Sequence, residues 1–258
     1  MRRCVLIVRA SVILSAMIDK KQQNFDAIAP YYDALLWVTS GSTILRSQTA
    51  LLPEIYERSD TIRTIAVIGG GTGAFLDTLL NRWPETIPLP DVYSIDGSER
   101  MLRISRERIA RAYPDSLHRL YFIHRRLPWR ADKPPPGWPR FDLIITNYVL
   151  DCFDDATVAQ VQSQLHQLLK TNGLWLCVDF YVQQPGRIRR VLARTIIRGL
   201  YLFFQITTGL RPTRLPAYDR FFSEHDYRLR AEKTHAFKLI RARLYEKNAD
   251  AAFRLTLK

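Results

Sequence analysis

Short apolar runs alternate with amphipathic segments through the middle of the chain. Apolar, often β-branched runs predict buried strands at residues 65–68, 91–96, 120–123, 141–147 and 174–180. Apolar residues at helical spacing predict helices over residues 74–81, 98–113 and 156–169, the last stopped by Asn172 and Gly173. Apolar strands that alternate with helices are typical of a parallel sheet covered on both faces.

The two ends of the chain are organised differently. Residues 24–55 combine a helical pattern with dense aromatics, which predicts N-terminal lid helices within residues 24–60. Residues 239–244 and 253–257 predict the closing strands of an antiparallel hairpin. We therefore expect a single domain over residues 24–258, preceded by an extension, residues 1–23, that is disordered or not native.

A glycine turn lies between the first predicted strand and its helix. Gly69, Gly71 and Gly73 alternate there, so the backbone can bend sharply and a ligand can approach it closely. Asp96 ends the second strand 23 residues after Gly73. In nucleotide-binding α/β units, an acidic residue about 20 residues after such a turn accepts hydrogen bonds from ribose hydroxyls. Capping of the next helix, which Ser98 could also perform, is the alternative role for Asp96.

Charge and cysteine usage narrow the possible partners. The chain has 258 residues, 47% of them hydrophobic, and a net charge of +13. Residues 186–258 contain 17 Lys or Arg and 6 Asp or Glu, so most of the excess lies in the last quarter. This bias indicates either an anionic partner or merely a basic, solvated surface. The three cysteines and five histidines lack metal-ligand spacing, which argues against a disulfide framework or a metal site.

With these motifs in order, the chain resembles class I S-adenosylmethionine-dependent methyltransferases. The resemblance runs from residue 25 to residue 180 and rests on residues 68–73, 95–102, 141–150 and 168–173. Residues 25–33 resemble the N-terminal helix of the branch that methylates quinone precursors and other small molecules. The implied fold is an α/β, Rossmann-like three-layer sandwich, with a seven-stranded, mostly parallel sheet and a C-terminal antiparallel strand.

The resemblance also implies a cofactor site for S-adenosyl-L-methionine. Its residues would be Gly69, Gly70, Gly71, Gly73, Asp96, Gly97, Asn147 and Tyr32. Two positions depart from the family. Ala66 and Val67 stand where an acid usually precedes the glycines, and His124-Arg125 stands where an acid often lies near the adenine. The adenine could therefore be held by backbone groups or by His124.

Methyl transfer needs a general base only if the acceptor nucleophile is protonated. The candidates are His124, Tyr148 and Asp151, all near the carboxyl ends of the predicted strands. Each has a structural alternative role, since Asp151 could cap the following helix and Tyr148 could be a pocket wall.

We expect a cytoplasmic enzyme that methylates a small, aromatic or lipophilic acceptor. Within the basic segment 186–220, Arg187, Arg190, Arg194 and Arg198 share one helix face, which predicts a lid helix or a peripheral contact with an anionic membrane. The apolar run there is too short to span a bilayer. The alternatives are an RNA or protein methyltransferase that uses the basic tail, and an NAD(P)-dependent oxidoreductase. A nucleic-acid substrate is disfavoured because methyltransferases of amino bases carry a Pro-Pro-aromatic run at this place. Here Asn147 is followed by Tyr148-Val149.

Overall fold

A computed structural model describes residues 26, 29–33, 42–129, 135, 137–181, 191, 195, 199, 215–236 and 238–248. Seven strands form one sheet in the order β3-β2-β1-β4-β5-β7-β6. They are β1 Thr64–Ile68, β2 Asp91–Asp96, β3 Leu120–His124, β4 Phe141–Asn147, β5 Leu169–Phe180, β6 Tyr227–His235 and β7 Ile240–Lys247. The first five are mutually parallel, and β7 pairs antiparallel with both β5 and β6. The seven-stranded, mostly parallel sheet expected from the sequence is confirmed.

Helices cover both faces of this sheet. They are α1 Thr43–Thr49, α2 Leu52–Tyr56, α3 Ala74–Asn81, α4 Glu99–Ala112, α5 Asp155–Leu168 and α6 Asp219–Glu224. Short 3-10 turns occupy Ala29–Tyr31, Pro114–Arg119 and Leu150–Cys152.

Strand alternation divides the core into two layers. In β1, Ile65 and Val67 pack with the apolar faces of α2 and α3, whereas Ala66 and Ile68 pack with the face of α5. Successive side chains of a strand point to opposite faces, so a strand that is apolar at every position must be covered on both. Trp175 of β5 lies in the second layer and is fully buried.

Strand order reverses between β1 and β4, and this reversal positions the site. The chain runs from β1 outward to β3 on one side and returns to β4 on the other side of β1. Ligands of such sheets bind beyond the carboxyl ends of the strands at this switch point. The carboxyl ends of β1, β2 and β4 carry Gly69, Asp96 and Asn147, respectively.

Two expected elements differ from those observed. The helix over 156–169 ends at Leu168, because Leu169 is extended and pairs with Phe141, so β5 begins before Asn172. The hairpin consists of β6 and β7, and the strand expected at 239–244 is its second arm, whereas the first arm, β6, was not predicted. The strand expected at 253–257 and the extension 1–23 lie outside the described residues.

Candidate functional site

The glycine turn lies directly against the end of the sheet. Gly69, Gly71 and Gly73 have φ values of +65°, +55° and +83°, the left-handed region that favours glycine. A Cβ on Gly69 would lie 2.4 Å from Cγ2 of Val149, so the turn and the segment after β4 are in close contact. A Cβ on Gly71 would meet only Gly69 O, 3.9 Å away, within 4 Å. The backbone of Gly71 therefore borders open space.

Asp96 closes the turn from the neighbouring strand. Its Oδ2 accepts the Gly71 N–H at 2.9 Å and its Oδ1 accepts the Ser98 N–H at 2.8 Å. A carboxylate offers about four acceptor positions, so about two remain for other donors. Burial raises the pKa of Asp96, and the two backbone hydrogen bonds oppose that shift. Ser98, not Asp96, caps α4, since its hydroxyl accepts the Met101 N–H.

A cavity of about 250 Å³ opens between the glycine turn, Asp96 and the end of β4. Its walls are partly aromatic, with Tyr32, Phe75, Tyr148 and Phe153 among the lining side chains. Of the residues assigned to the cofactor from the sequence, those lining it are Tyr32, Gly69, Gly70, Gly71, Asp96, Gly97 and Asn147. Gly73 is not among the lining residues; it directly precedes α3, and a Cβ there would lie 2.5 Å from the Ser105 hydroxyl oxygen.

Asn147, which lines this cavity, carries a side-chain amide that no described residue satisfies. Its side chain is buried, yet neither Oδ1 nor Nδ2 has a hydrogen-bond partner among the described residues. A buried polar group without a partner costs about 1–3 kcal/mol, so its retention indicates a ligand or water that completes the pairing.

Tyr148, next in the chain, forms a wall of the cavity. It has a φ of +55°, and its hydroxyl lies 2.6 Å from the Ser47 hydroxyl. Burial raises the pKa of its phenol, so the side chain remains neutral at physiological pH.

Two N-terminal carboxylates attach the start of the described chain to the cavity rim. Asp33 Oδ1 accepts a hydrogen bond from the Thr72 hydroxyl at 2.5 Å, and Asp33 also pairs with Arg108 of α4. Asp26 accepts hydrogen bonds from the Ser98 hydroxyl and from the Arg100 N–H. These contacts hold Tyr32 against the cavity, as a lid would.

The three candidate general bases differ in where they lie relative to the cavity. His124 is exposed at the end of β3, with Nε2 3.1 Å from Gly97 O, and it does not line the cavity. Tyr148 lines it. Asp151 is buried in the turn Leu150–Cys152, behind the cavity wall that Cys152 forms. Asp151 does not cap the following helix; Asp154 does, by accepting the Thr157 N–H at 2.8 Å.

Asp151 lies beside a second buried carboxyl group, that of Asp179 at the end of β5. The Asp151 N–H donates to Asp179 Oδ2 at 3.2 Å, and the two side chains hydrogen-bond to each other. The Cys152 thiol lies 3.6 Å from Asp151 Oδ1. Asp179 was not proposed from the sequence, although its place at the end of the fifth predicted strand was a usable signal.

The sequence did not identify Asp26, Asp33 and Arg108 as site residues. Their contacts join positions 39 to 75 residues apart, which no local pattern encodes. Among the described residues, no cluster of potential ligands could hold a metal ion. None of the helices in the described part of the chain is long and apolar enough to cross a membrane.

Comparisons with known proteins bear on the family and the fold of the chain. Residues 67–175 match a family model described as a methyltransferase domain. No curated protein has a sequence that matches the chain.

Several solved structures share the fold at low sequence identity. One is an O-methyltransferase family protein from Burkholderia thailandensis, with 15% identity, a TM-score of 0.62 and coverage of 96% of this chain and 71% of that one. Another is magnesium protoporphyrin IX methyltransferase from Synechocystis PCC 6803 with bound S-adenosylhomocysteine, with 13% identity, a TM-score of 0.59 and coverage of 86% and 98%. A third is the Burkholderia thailandensis 1,6-didemethyltoxoflavin-N1-methyltransferase with its substrate and S-adenosylhomocysteine, with 15% identity, a TM-score of 0.57 and coverage of 93% and 89%.

Proposed function

Since this chain contains the methyltransferase domain of a class I S-adenosylmethionine-dependent enzyme, we propose that it methylates a small, aromatic or lipophilic acceptor. The observation that carries the proposal is the partly aromatic cavity at the strand ends, bounded by Asp96 on one side and by Tyr148 and Phe153 on another. Two of the structural relatives are, by their names, methyltransferases of magnesium protoporphyrin IX and of 1,6-didemethyltoxoflavin.

The residues present fit the cofactor. Asp96 has free acceptor positions for ribose hydroxyls, Gly71 leaves open space for close backbone approach, and Asn147 has an unsatisfied buried amide. We assign the ribose to Asp96, the amino acid end to Gly69–Gly71 and Asn147, and the adenine to the segment around Gly97, where Arg125 and Arg126 also line the cavity. Tyr32 would cover the cofactor, and Gly73 would shape the turn and not touch the ligand.

The bound cofactor supplies a methyl group that is already electrophilic because it is carried on a sulfonium. The protein's contribution is then mainly to align the acceptor and to exclude water, and such positioning can account for several kcal/mol of the barrier. Tyr32, Tyr148 and Phe153 form apolar walls for this purpose.

A protonated acceptor adds the need for a base, and the three candidates differ in suitability. His124 faces Gly97 O on the adenine side. Tyr148 is a buried phenol with a raised pKa, which suits a wall better than a proton acceptor. Asp151 does not line the cavity and lies behind Cys152, which does, with the Cys152 thiol 3.6 Å from Asp151 Oδ1.

The comparisons bear differently on the alternative function and on the finer predictions. The family model disfavours the oxidoreductase alternative. Membership of the quinone branch and a cytoplasmic location stay predictions. A lid helix or a membrane contact through segment 186–220 also stays a prediction, because Arg187, Arg190, Arg194 and Arg198 lie outside the described residues.

A labelling experiment tests the acceptor class. The protein is incubated with a cell extract and S-adenosylmethionine labelled in its methyl group, and the products are separated by size and by organic extraction. We expect label in the small, organic-extractable fraction, and none with Asp96→Ala. Label confined to acid-precipitable RNA or protein would contradict the proposal and favour the macromolecular alternative.

A further inference from the structure

Helix α1 meets the cavity through two adjacent residues with different surroundings. Ser47 is fully buried, whereas Gln48 is half-buried and lines the cavity. Adjacent residues of a helix point about 100° apart, so one helix can bury the first and turn the second toward open space. The same helix packs against α3, β6 and β7, so its position is fixed by the body of the domain.

The hydroxyl of Ser47 joins α1 to the cavity wall. Its Oγ donates a hydrogen bond to Ile44 O at 2.7 Å and lies 2.6 Å from the hydroxyl oxygen of Tyr148. A serine hydroxyl carries one proton, and here that proton is committed to Ile44 O. The Tyr148 hydroxyl is therefore the donor in the second hydrogen bond, and Ser47 is its acceptor.

Tyr148 has a backbone conformation that needs such support. Its φ of +55° lies in the left-handed region, which bulky residues rarely adopt. Three contacts hold it there: its N–H donates to Val178 O at 2.8 Å, its ring centroid lies 5.1 Å from that of Phe180, and its hydroxyl bonds to Ser47. Backbone strain of this kind persists only where the surrounding structure fixes it, and it is concentrated at ligand sites.

Gln48 adds a polar amide to the aromatic wall that Tyr148 and Phe153 form. Ligand cavities are mostly apolar, and the few polar groups placed in them fix the orientation of the ligand and its specificity. Tyr148 follows β4 and Asp96 ends β2, and β1 lies between these two strands in the sheet. Gln48, which follows the partner of Tyr148, therefore lies on the side of the cavity away from Asp96.

We propose that Gln48 is a specificity-determining residue that hydrogen-bonds a polar group of the methyl acceptor, and that Ser47 is the positioning residue that holds α1 and Tyr148 in place for it. This inference rests on the proposed function. With the ribose on Asp96, the side of the cavity next to β4 is left for the acceptor. The acceptor class is thereby narrowed to aromatic or lipophilic molecules with a hydrogen-bonding substituent, such as a hydroxyl, carbonyl or amine.

The first test compares Gln48→Leu with Gln160→Leu, the same substitution at an exposed position of α5. Methyl-labelled S-adenosylmethionine and a dilution series of protein-free cell extract give the extract concentration that half-saturates the enzyme. A lost hydrogen bond that leaves a buried polar group unpaired weakens binding about 5- to 100-fold. Gln48→Leu should raise the half-saturating concentration by this factor and keep the rate at saturation near that of the wild type. Gln160→Leu should match the wild type in both.

Calorimetry with S-adenosylhomocysteine shows whether Gln48 faces the acceptor or the cofactor, and it needs no acceptor. Gln48→Leu should bind this ligand with the affinity of the wild type. If its affinity falls by the same factor as the half-saturating concentration rises, Gln48 holds the amino acid end of the cofactor. That result would overturn the inference.

A second set of variants tests the positioning role of Ser47. Thr49→Val is the control, because Thr49 is a buried residue of the same helix whose hydroxyl donates to Leu45 O at 2.9 Å and not to the cavity wall. Ser47→Ala leaves the Tyr148 O–H without its acceptor, so the half-saturating extract concentration should rise at least about fivefold. Thr49→Val should lower the Tm alone. Tyr148→Phe leaves Ser47 bonded to Ile44 O, so it should cost less than Ser47→Ala.

The double variant Ser47→Ala/Tyr148→Phe shows whether the two residues act through their shared hydrogen bond. Since both substitutions remove the same bond, the double variant should be no worse than Ser47→Ala alone. Additive effects would overturn the positioning role. So would a Ser47→Ala variant that, like Thr49→Val, has a lower Tm and an unchanged half-saturating concentration.

The outcomes separate the inference from the function beneath it. If the wild type labels no small molecule, the proposed function fails and the inference fails with it. If the wild type labels small molecules and both Gln48→Leu and Ser47→Ala keep its half-saturating extract concentration, the inference alone is wrong and α1 is a structural helix.

Discussion

Replacing Asp96 by alanine should remove the carboxylate that we assign to the cofactor's ribose. About two of its four acceptor positions are taken by the N–H groups of Gly71 and Ser98, which leaves about two for ribose hydroxyls. A hydrogen bond to a charged group contributes about 1.5–3 kcal/mol, so two contribute about 3–6 kcal/mol. At about 1.4 kcal/mol per factor of ten, the affinity for S-adenosylhomocysteine should fall about 100- to 10,000-fold.

A matched control exists at the opposite end of the sheet. Asp142 also accepts two backbone N–H groups, those of Arg63 and Thr64, and it pairs with Lys170 at 2.8 Å. Asp142→Ala therefore removes a strand-end carboxylate with equivalent backbone partners, but far from the cavity. It should lower the Tm at least as much as Asp96→Ala does and leave the affinity unchanged.

Isothermal titration calorimetry with S-adenosylhomocysteine measures the difference, and circular dichroism verifies that both variants are folded. An affinity of Asp96→Ala within threefold of the wild type would refute the ribose assignment. Asp96 would then be a structural residue that fixes the glycine turn and the start of α4.

Three further predictions concern Gly71, Asp33 and Asp142. Gly71→Val places a branched side chain at a φ of +55° and into open space, so calorimetry should detect no binding of S-adenosylhomocysteine while circular dichroism shows a folded protein. Asp33→Asn loses the partly exposed ion pair with Arg108, which is worth up to about 1 kcal/mol. The affinity for S-adenosylhomocysteine should therefore weaken by up to about fivefold. Glu107→Gln, on α4 beside Arg108, should leave that affinity unchanged. Burial pushes the pKa of Asp142 up, but its hydrogen bonds lower it overall. The carboxylate therefore stabilises the folded protein above pH 3.8, and this stabilisation is lost as pH falls through the lowered pKa. In urea unfolding, Asp142→Asn should have a lower free energy of unfolding than the wild type at pH 7, and the difference should narrow below pH 3.8.

The sequence predicts the sheet well because its strands are apolar on both faces. Residues such as Ile65 and Val67 leave no alternative to burial, and the glycines after them mark the turn. The strand β6 was missed for the opposite reason. It is an edge strand with Arg228, Arg230 and Lys233 on its exposed positions, so its composition is typical of a solvated segment.

Helix boundaries were predicted less accurately than the helices themselves. Leu168 and Leu169 continue the apolar spacing of α5, yet Leu169 is drawn into the sheet by pairing with Phe141. Asp154, not Asp151, caps that helix, and the two acids cannot be distinguished by spacing alone.

The site residues also divide into those that the sequence predicts and those that it does not. Gly69, Gly71 and Asp96 are local to strand ends and can be placed from the sequence. The contacts of Asp33 with Arg108, and of Asp151 with Asp179, depend on which strands and helices become neighbours. Strand order is set by the whole fold, so these pairings emerge only in three dimensions.

The central claim is that the cofactor lies over the carboxyl ends of β1, β2 and β4. A crystal structure of the complex with S-adenosylhomocysteine tests it most directly. We expect both ribose hydroxyls to donate to Asp96, the amino acid end to lie on Gly69–Gly71, and the amide of Asn147 to gain a partner. A ligand bound elsewhere, or a cavity closed by the protein's own side chains, would contradict the account.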